Sequence, residues 1–179
     1  DTTVISIPEL KNIASEHYSN LKNIALPKPK TIEIPTLYGG EYGPDLQEVS
    51  RHSGLSEGEI IRLHSGVSYT VYMIGFSPGF PYLGGMSDRI ACPRLSTPRI
   101  EIPAGSVGIA ESQTGVYPMA SPGGWQLIGR TPINMFDPDK TPPSVLEAGD
   151  LVKFTPLDSE HEFSEITELV SSGQYKVSI

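Results

Sequence analysis

Hydrophobic and polar positions change rhythm several times along this chain. From Ser6 to Ile24 the apolar residues Leu10, Ile13, Ala14, Leu21 and Ile24 recur at helical spacing, and Ser6 with Glu9 forms a capping box, so a helix is expected. The "LPKPK" that follows reads as a stiff proline linker. "GPDLQEVSRHSGLSEGEIIRLHSG" predicts two short helices meeting at Gly54, with Leu46, Val49, Ile60, Ile61 and Leu63 buried. From Val67 to Leu157 the period shortens. Strand-like runs, "SYTVYMIGF", "RIEIP", "SVGIA", "TGVYP", "WQLIGRTPINMF" and "LVKFTPL", alternate with the breaks "SPGFPYLGG", "PAG", "SPGG", "DPDKTPP" and "EAGD". Short strands with no helix-length segment between them predict a mainly β fold, a closed barrel in preference to a sandwich, with short flanking helices. In "DSEHEFSEITELVSSG", Ser159 and Glu162 form a capping box, Phe163, Ile166, Leu169 and Val170 one apolar face, and Gly173 the stop. "QYKVSI" is expected as a closing strand paired with the appendage at the other end. The domains then read as 1–31 (helix and linker), 32–158 (barrel) and 159–179 (helix and strand).

Charge narrows the partners. A net charge of −8 and a pI of about 4.9 argue against a nucleic-acid backbone or an anionic membrane surface. No run approaches the roughly 20 apolar residues of a membrane span. The single Cys92 forms no internal disulfide and no export leader is visible, so a cytoplasmic location is expected. Between Thr31 and Asp139 there is no lysine; every cation there is an arginine, namely Arg51, Arg62, Arg89, Arg94, Arg99 and Arg130. Arginine presents a planar fork that matches carboxylate and phosphate, so the six either brace loops or meet an anionic ligand or acidic partner.

Candidate chemistry starts with Gly75-Phe76-Ser77-Pro78-Gly79, which spells the G-x-S-x-G of a nucleophile elbow. Pro78 has no N–H for an oxyanion, and Phe80-Pro81-Tyr82-Leu83-Gly84-Gly85 cannot open the helix an elbow needs, so Ser77 is not expected to be a nucleophile. A second match, Gly54 to Gly58, dissolves because Ser56 and Glu59 form a capping box. No phosphate-cradling glycine motif is present, and His17, His52, His64 and His161 lack the spacing of metal ligands, so no metal is expected. His64 either meets a helix dipole or moves a proton. Asp45 is placed to cap a helix, whereas Glu41 has no such duty and stays open as an acid or base. "ESQTGVYPMASPGGWQLIGRT" is dense in convergent polar groups, as barrel mouths that hold ligands are.

The ordered stretches "YGGEYGPDL", "GFSPGFPYLGG", "CPRLSTPR", "IPAGSVGIA", "QTGVYP", "SPGGWQLIGRTP", "MFDP" and "AGDLVKFTPL" closely resemble the family named for allophanate hydrolase subunit 1, whose members include the 5-oxoprolinase B subunit and the kinase inhibitor KipI. The likeness spans about residues 32 to 158 and implies a cyclophilin-like β-barrel. At the front the sequence departs from the family: only the final helix of the usual α/β N-terminal domain stands there, as a remnant. The resemblance implies work with a second cyclophilin-like subunit, KipA-like, and a third 5-oxoprolinase subunit, opening 5-oxoproline to glutamate at the expense of ATP, with Mg, bound by the complex. As an alternative it implies a KipI-like protein that binds a sensor histidine kinase and inhibits it without catalysis. It assigns no catalytic residues.

The site expected from the residues follows. Arg94, Arg99 and Arg130 supply fork-shaped cations, while Gln113, Tyr117, Trp125 and the Gly123-Gly124 backbone orient a substrate. Glu41 or His64 moves a proton. Phe76, Phe80 and Tyr82 form a rigid wall facing ligand or partner.

Overall fold

A computed structural model describes residues 5–21 and 28–178. Its helices begin where the side chains cap them. Helix α1 (Ile7–Asn20) opens on the reciprocal Ser6–Glu9 box, yet no residue of it is buried. Ile24 and the first part of the proline linker lie outside the described residues. Helices α2 (Leu46–Ser53) and α3 (Glu57–Ser65) meet at Gly54, whose φ of 72° is the left-handed turn that ends a helix most cheaply with glycine. Leu46, Val49 and Ile60 are buried as expected; Ile61 and Leu63 are only half-buried.

Seven strands form the main sheet: β1 (Thr31–Tyr38), β2 (Tyr69–Ile74), β3 (Pro81–Gly84), β5 (Ser106–Ala110), β6 (Gln113–Val116), β8 (Gln126–Arg130) and β9 (Leu151–Pro156). They lie side by side in the order β3-β2-β9-β1-β8-β5-β6. All neighbours are antiparallel except β1 and β9, which run parallel from Thr31↔Leu151 to Thr36↔Pro156. The two edges nearly meet: a Cβ added at Gly115 of β6 would lie 3.5 Å from the Pro81 carbonyl of β3. The expected barrel is therefore present and almost closed. A separate ribbon pairs β4 (Arg99–Ile102) with β7 (Ser121–Gly123).

Three strands lie outside the runs that sequence reading picked out. β1 contains Pro35, but β8 pairs only with Leu37 and Tyr38, so the proline sits where β1 has one partner and its missing N–H is harmless. β3 and β7 lie inside segments read as breaks because Pro81, Gly84, Pro122 and Gly123 punctuate them. The run "WQLIGRTPINMF" shrinks to Gln126–Arg130, since Pro132 cannot donate to a ladder.

Two hydrophobic clusters result. The large one fills the barrel with Ile34, Tyr69, Ile109, Ile128 and Phe154 and takes in Leu46, Val49 and Ile60 from the helical pair. The small one gathers Phe80, Ile102, Tyr117 and Leu127, with Tyr82 and Trp125 packed against it, between barrel and ribbon. Helix α4 (Glu160–Ser171) starts at Ser159, which accepts from the Glu162 N–H. Only half of the expected box forms, because the Glu162 carboxylate accepts from Asp158 N–H instead. Among the described residues "QYKVSI" forms no strand with the N-terminal appendage; the Glu33 N–H of β1 donates to the Ser178 carbonyl, and Tyr175 and Val177 lie on the large cluster.

Candidate functional site

The loop between β2 and β3 settles what "GFSPGF" does. Gly75 N–H donates to the Phe80 carbonyl and Phe80 N–H to the Ser77 carbonyl, closing a hairpin that runs into a strand. The segment that follows Ser77 is strand β3 and not a helix, as the prolines and glycines between Phe80 and Gly85 led one to expect. The turn thrusts Phe76 outward, 79% exposed and at φ 67°, a backbone region that bulky side chains rarely occupy. It drives Phe80 the other way. Phe80 is the hub of an edge-to-face web, its centroid 5.8 Å from Phe76, 5.7 Å from Tyr82, 5.7 Å from Tyr117 and 5.8 Å from Trp125. Each such pair adds about 0.5–1.5 kcal/mol beyond the area it buries, so the wall is rigid. Phe80 is only 5% exposed, which removes it from any docking surface; Phe76 and Tyr82 keep accessible faces.

These rings line a cleft of about 170 Å³, completed by Arg94, Gln113, Pro122, Gly123 and Gly124. Strand alternation places Gln113 and Gly115 on one face of β6 and Thr114 and Val116 on the other. Gly123 is required by close approach: a Cβ there would stand 2.5 Å from Ile102 Cδ1 and 2.6 Å from the Tyr117 hydroxyl oxygen. Burial raises the Tyr117 pKa, partly offset by Arg94, by the Trp125 backbone and by Arg99, so the phenol keeps its proton at neutral pH. The cleft thus offers aromatic faces, one guanidinium, a carboxamide, a phenol and glycine backbone.

Eight of the residues expected from the sequence meet here: Arg94, Gln113, Tyr117, Gly123, Gly124, Trp125, Phe76 and Tyr82, with Phe80 behind them. Four others lie elsewhere. Arg99 is committed to Asp45, Nη2 to Oδ1 at 2.7 Å, while Asp45 Oδ2 accepts the Leu127 N–H at 2.7 Å. Asp45 sits at the N-cap of α2 but makes no capping bond; its carboxylate ties the helical pair to β8 and the ribbon. Arg130 stands four residues beyond Gln126 on β8, about 13 Å at strand rise, and lies over the Tyr42 ring with its guanidinium carbon 5.5 Å from the centroid. Glu41 is an exposed turn residue outside the cleft.

His64 is sealed in the core, 0% exposed. The Thr114 hydroxyl donates to the Gly108 carbonyl at 3.0 Å, so at 2.8 Å His64 Nε2–H must donate to Thr114 and Nδ1 accepts from the Tyr38 hydroxyl at 2.7 Å. Both nitrogens are satisfied in the neutral ring, and burial lowers the pKa to about 3. His64 is a structural pin with no path to a ligand. Among the described residues no three His, Cys, Asp or Glu side chains gather in a way that would hold a metal ion, and no helix is long and apolar enough to cross a membrane.

Comparison with known proteins adds identity to geometry. The family pattern described as "Carboxyltransferase domain, subdomain C and D" matches residues 1–146. The 5-oxoprolinase B subunit of Bacillus subtilis is 57% identical over 138 residues, covering 76% of this chain and 58% of that protein. Its Escherichia coli counterpart is 54% identical over 130 residues, 73% of this chain and 60% of that one. The chain therefore spans about three fifths of the length of these relatives. The crystal structure of a conserved uncharacterized protein from Pyrococcus horikoshii superposes with a TM-score of 0.72 at 50% identity, covering 91% of this chain and 74% of that one. The Kluyveromyces lactis urea carboxylase reaches a TM-score of 0.72 at 21% identity over 99% of this chain and 18% of its own, which shows a shared fold.

Proposed function

Because the chain belongs to the family of carboxyltransferase domains, subdomains C and D, we propose that it is part of the B subunit of an ATP-dependent 5-oxoprolinase and that the aromatic cleft receives the lactam. The observation that carries this reading is the match between cleft and ligand, in a chain 54–57% identical to proteins named as 5-oxoprolinase B subunits. At about 170 Å³ the cleft is smaller than the roughly 300–1,000 Å³ that house drug-sized ligands. A small ring fits its aromatic walls, with the ring carboxylate on Arg94 and the lactam oxygen facing the Gln113 carboxamide and Tyr117 hydroxyl. As the carbonyl is attacked, negative charge grows on that oxygen, and fixed donors at this place lower the barrier.

The nucleotide does not fit this cleft. A triphosphate would need several cations and more room, and one guanidinium lines a space of about 170 Å³. ATP and its Mg would be held by the other members of the assembly: a second cyclophilin-like subunit and a third 5-oxoprolinase subunit. The kinase-inhibitor alternative gains no support, since the Bacillus subtilis and Escherichia coli relatives are both named as 5-oxoprolinase B subunits. The test is ATP- and 5-oxoproline-dependent glutamate release by the assembled full-length subunits, with this one present and then omitted. Release that needs this subunit supports the reading; undiminished release without it overturns the reading.

A further inference from the structure

Phe76 is the one aromatic wall of the cleft whose place packing does not explain. It lines the cleft, yet it is 79% exposed, and among the described residues its single aromatic contact is Phe80, edge-on at 5.8 Å. The other rings are held from behind: Phe80 and Tyr117 are buried, Tyr82 and Trp125 half-buried. A ring left in water gains little hydrophobic stabilisation, so the position of Phe76 must come from the backbone.

Two consecutive turns supply it. Ser77 N–H donates to the Gly75 carbonyl at 2.9 Å across Phe76 at φ 67°, the rare and strained form of the γ-turn. Phe80 N–H then donates to the Ser77 carbonyl at 3.1 Å across Pro78-Gly79, with Gly79 at φ 80°, as in a type II turn. Gly79 seats the pair on the body of the protein: a Cβ there would stand 2.7 Å from Phe136 Cβ and 3.3 Å from Pro118 Cβ. Gly75 N–H on the Phe80 carbonyl closes the loop, so the Phe76 backbone is locked where it stands. Strain of this kind persists only where the surroundings over-determine it, and it collects at ligand clamps.

We propose that Phe76 sets the ring size the cleft accepts, admitting a five-membered lactam and excluding its six-membered homologue. The inference rests on the reading of the cleft given above. With the carboxylate on Arg94 and the lactam oxygen toward Gln113 and Tyr117, the ring methylenes are left to the aromatic faces. An added methylene must press on one of them. The floor has no room to give, since even a Cβ at Gly115 would stand 3.3 Å from both Phe80 Cζ and Trp125 Cζ3. The extra group therefore falls on Phe76, whose locked turn cannot retreat.

The test is kcat/KM of the assembled full-length enzyme for 5-oxoproline and for the lactam with one more ring methylene, in the wild type, Phe76→Gly, Phe76→Ala and Arg94→Gln. Glycine suits a positive φ, so Phe76→Gly should fold and unfold about 2–4 °C above Phe76→Ala, which loses the ring but keeps the strain. The wild type should favour the five-membered ring at least ~10-fold, the scale of discrimination that one methylene gives, and both Phe76 variants should shrink that ratio at least ~5-fold. Arg94→Gln should weaken both lactams alike and preserve the ratio. A wild type that takes both rings equally, or a ratio within ~2-fold of wild type in the Phe76 variants, overturns the inference alone while Arg94→Gln still weakens both. Phe76 variants that only raise the concentration of partner subunit needed for activity also overturn it, and make the ring a subunit contact. An Arg94→Gln enzyme as active as wild type on 5-oxoproline removes the reading of the cleft, and this inference with it.

Discussion

His64 and the cleft around Phe80 stand on the same barrel and use the same kinds of residue, yet one is closed and the other open. His64 touches Tyr38 and Thr114 and is enclosed by Tyr69 and Phe154, ring centroids 5.5 and 4.5 Å away. Every polar atom of the imidazole is already satisfied. In the cleft, Tyr117 and Gln113 accompany a comparable set of rings, but Arg94 is unpaired among the described residues and the groups face an open volume. Residue type alone does not mark a site. What distinguishes the two places is whether polar groups are spent on each other or left over, facing a space that a ligand can enter.

The contrast can be broken by removing its hub. Phe80→Ala strips the ring on which four others lean and is expected to cost about 3–5 kcal/mol in urea unfolding; a loss under ~1 kcal/mol would mean that the wall is not a packed unit. The His64 side predicts a pH effect of known sign. Its folded pKa, about 3, lies below the ordinary 6.5, so the unfolded chain binds the proton first and stability declines as pH falls through that window. Between pH 6.5 and 5 the loss from this group is about 2 kcal/mol. His64→Gln should flatten that slope, and an unchanged slope would show that the imidazole titrates freely.

Smaller effects sharpen the boundary of the site. Arg130→Lys loses the stacking on Tyr42, worth about 0.5–1 kcal/mol of stability, and should leave turnover of the assembled enzyme within ~2-fold. A fall beyond ~10-fold in turnover would return Arg130 to the site. Ser77→Ala should change neither quantity measurably, since the hairpin uses the serine backbone and not its hydroxyl.

Much of this was legible in the sequence, and what was not has physical reasons. Helix starts at Ser6, Ser56 and Ser159 and stops at Gly54 and Gly173 are local events, fixed by one or two side chains. The barrel was legible from the rhythm of runs and breaks. Strands β1, β3 and β7 were hidden because proline and glycine, which usually end strands, are tolerated at edges and short ribbons. Among the arginines nothing local separates Arg94 from Arg99. The difference is that Arg99 meets a carboxylate 54 residues earlier in the chain, a contact set by the meeting of α2 and the ribbon. His64 reads as a helix-end residue, and only the closed sheet reveals that Tyr38 and Thr114 converge on it.

The most direct measurement is the KM for 5-oxoproline of the assembled enzyme carrying Arg94→Gln, with His64→Gln beside it. Loss of a charge-assisted contact worth about 1.5–3 kcal/mol should raise KM about 10- to 100-fold in the Arg94 variant with its stability intact. His64→Gln should lower stability and leave KM unchanged. An unaltered KM in Arg94→Gln, or a KM that rises only in His64→Gln, would contradict the assignment of the aromatic cleft as the place where substrate binds.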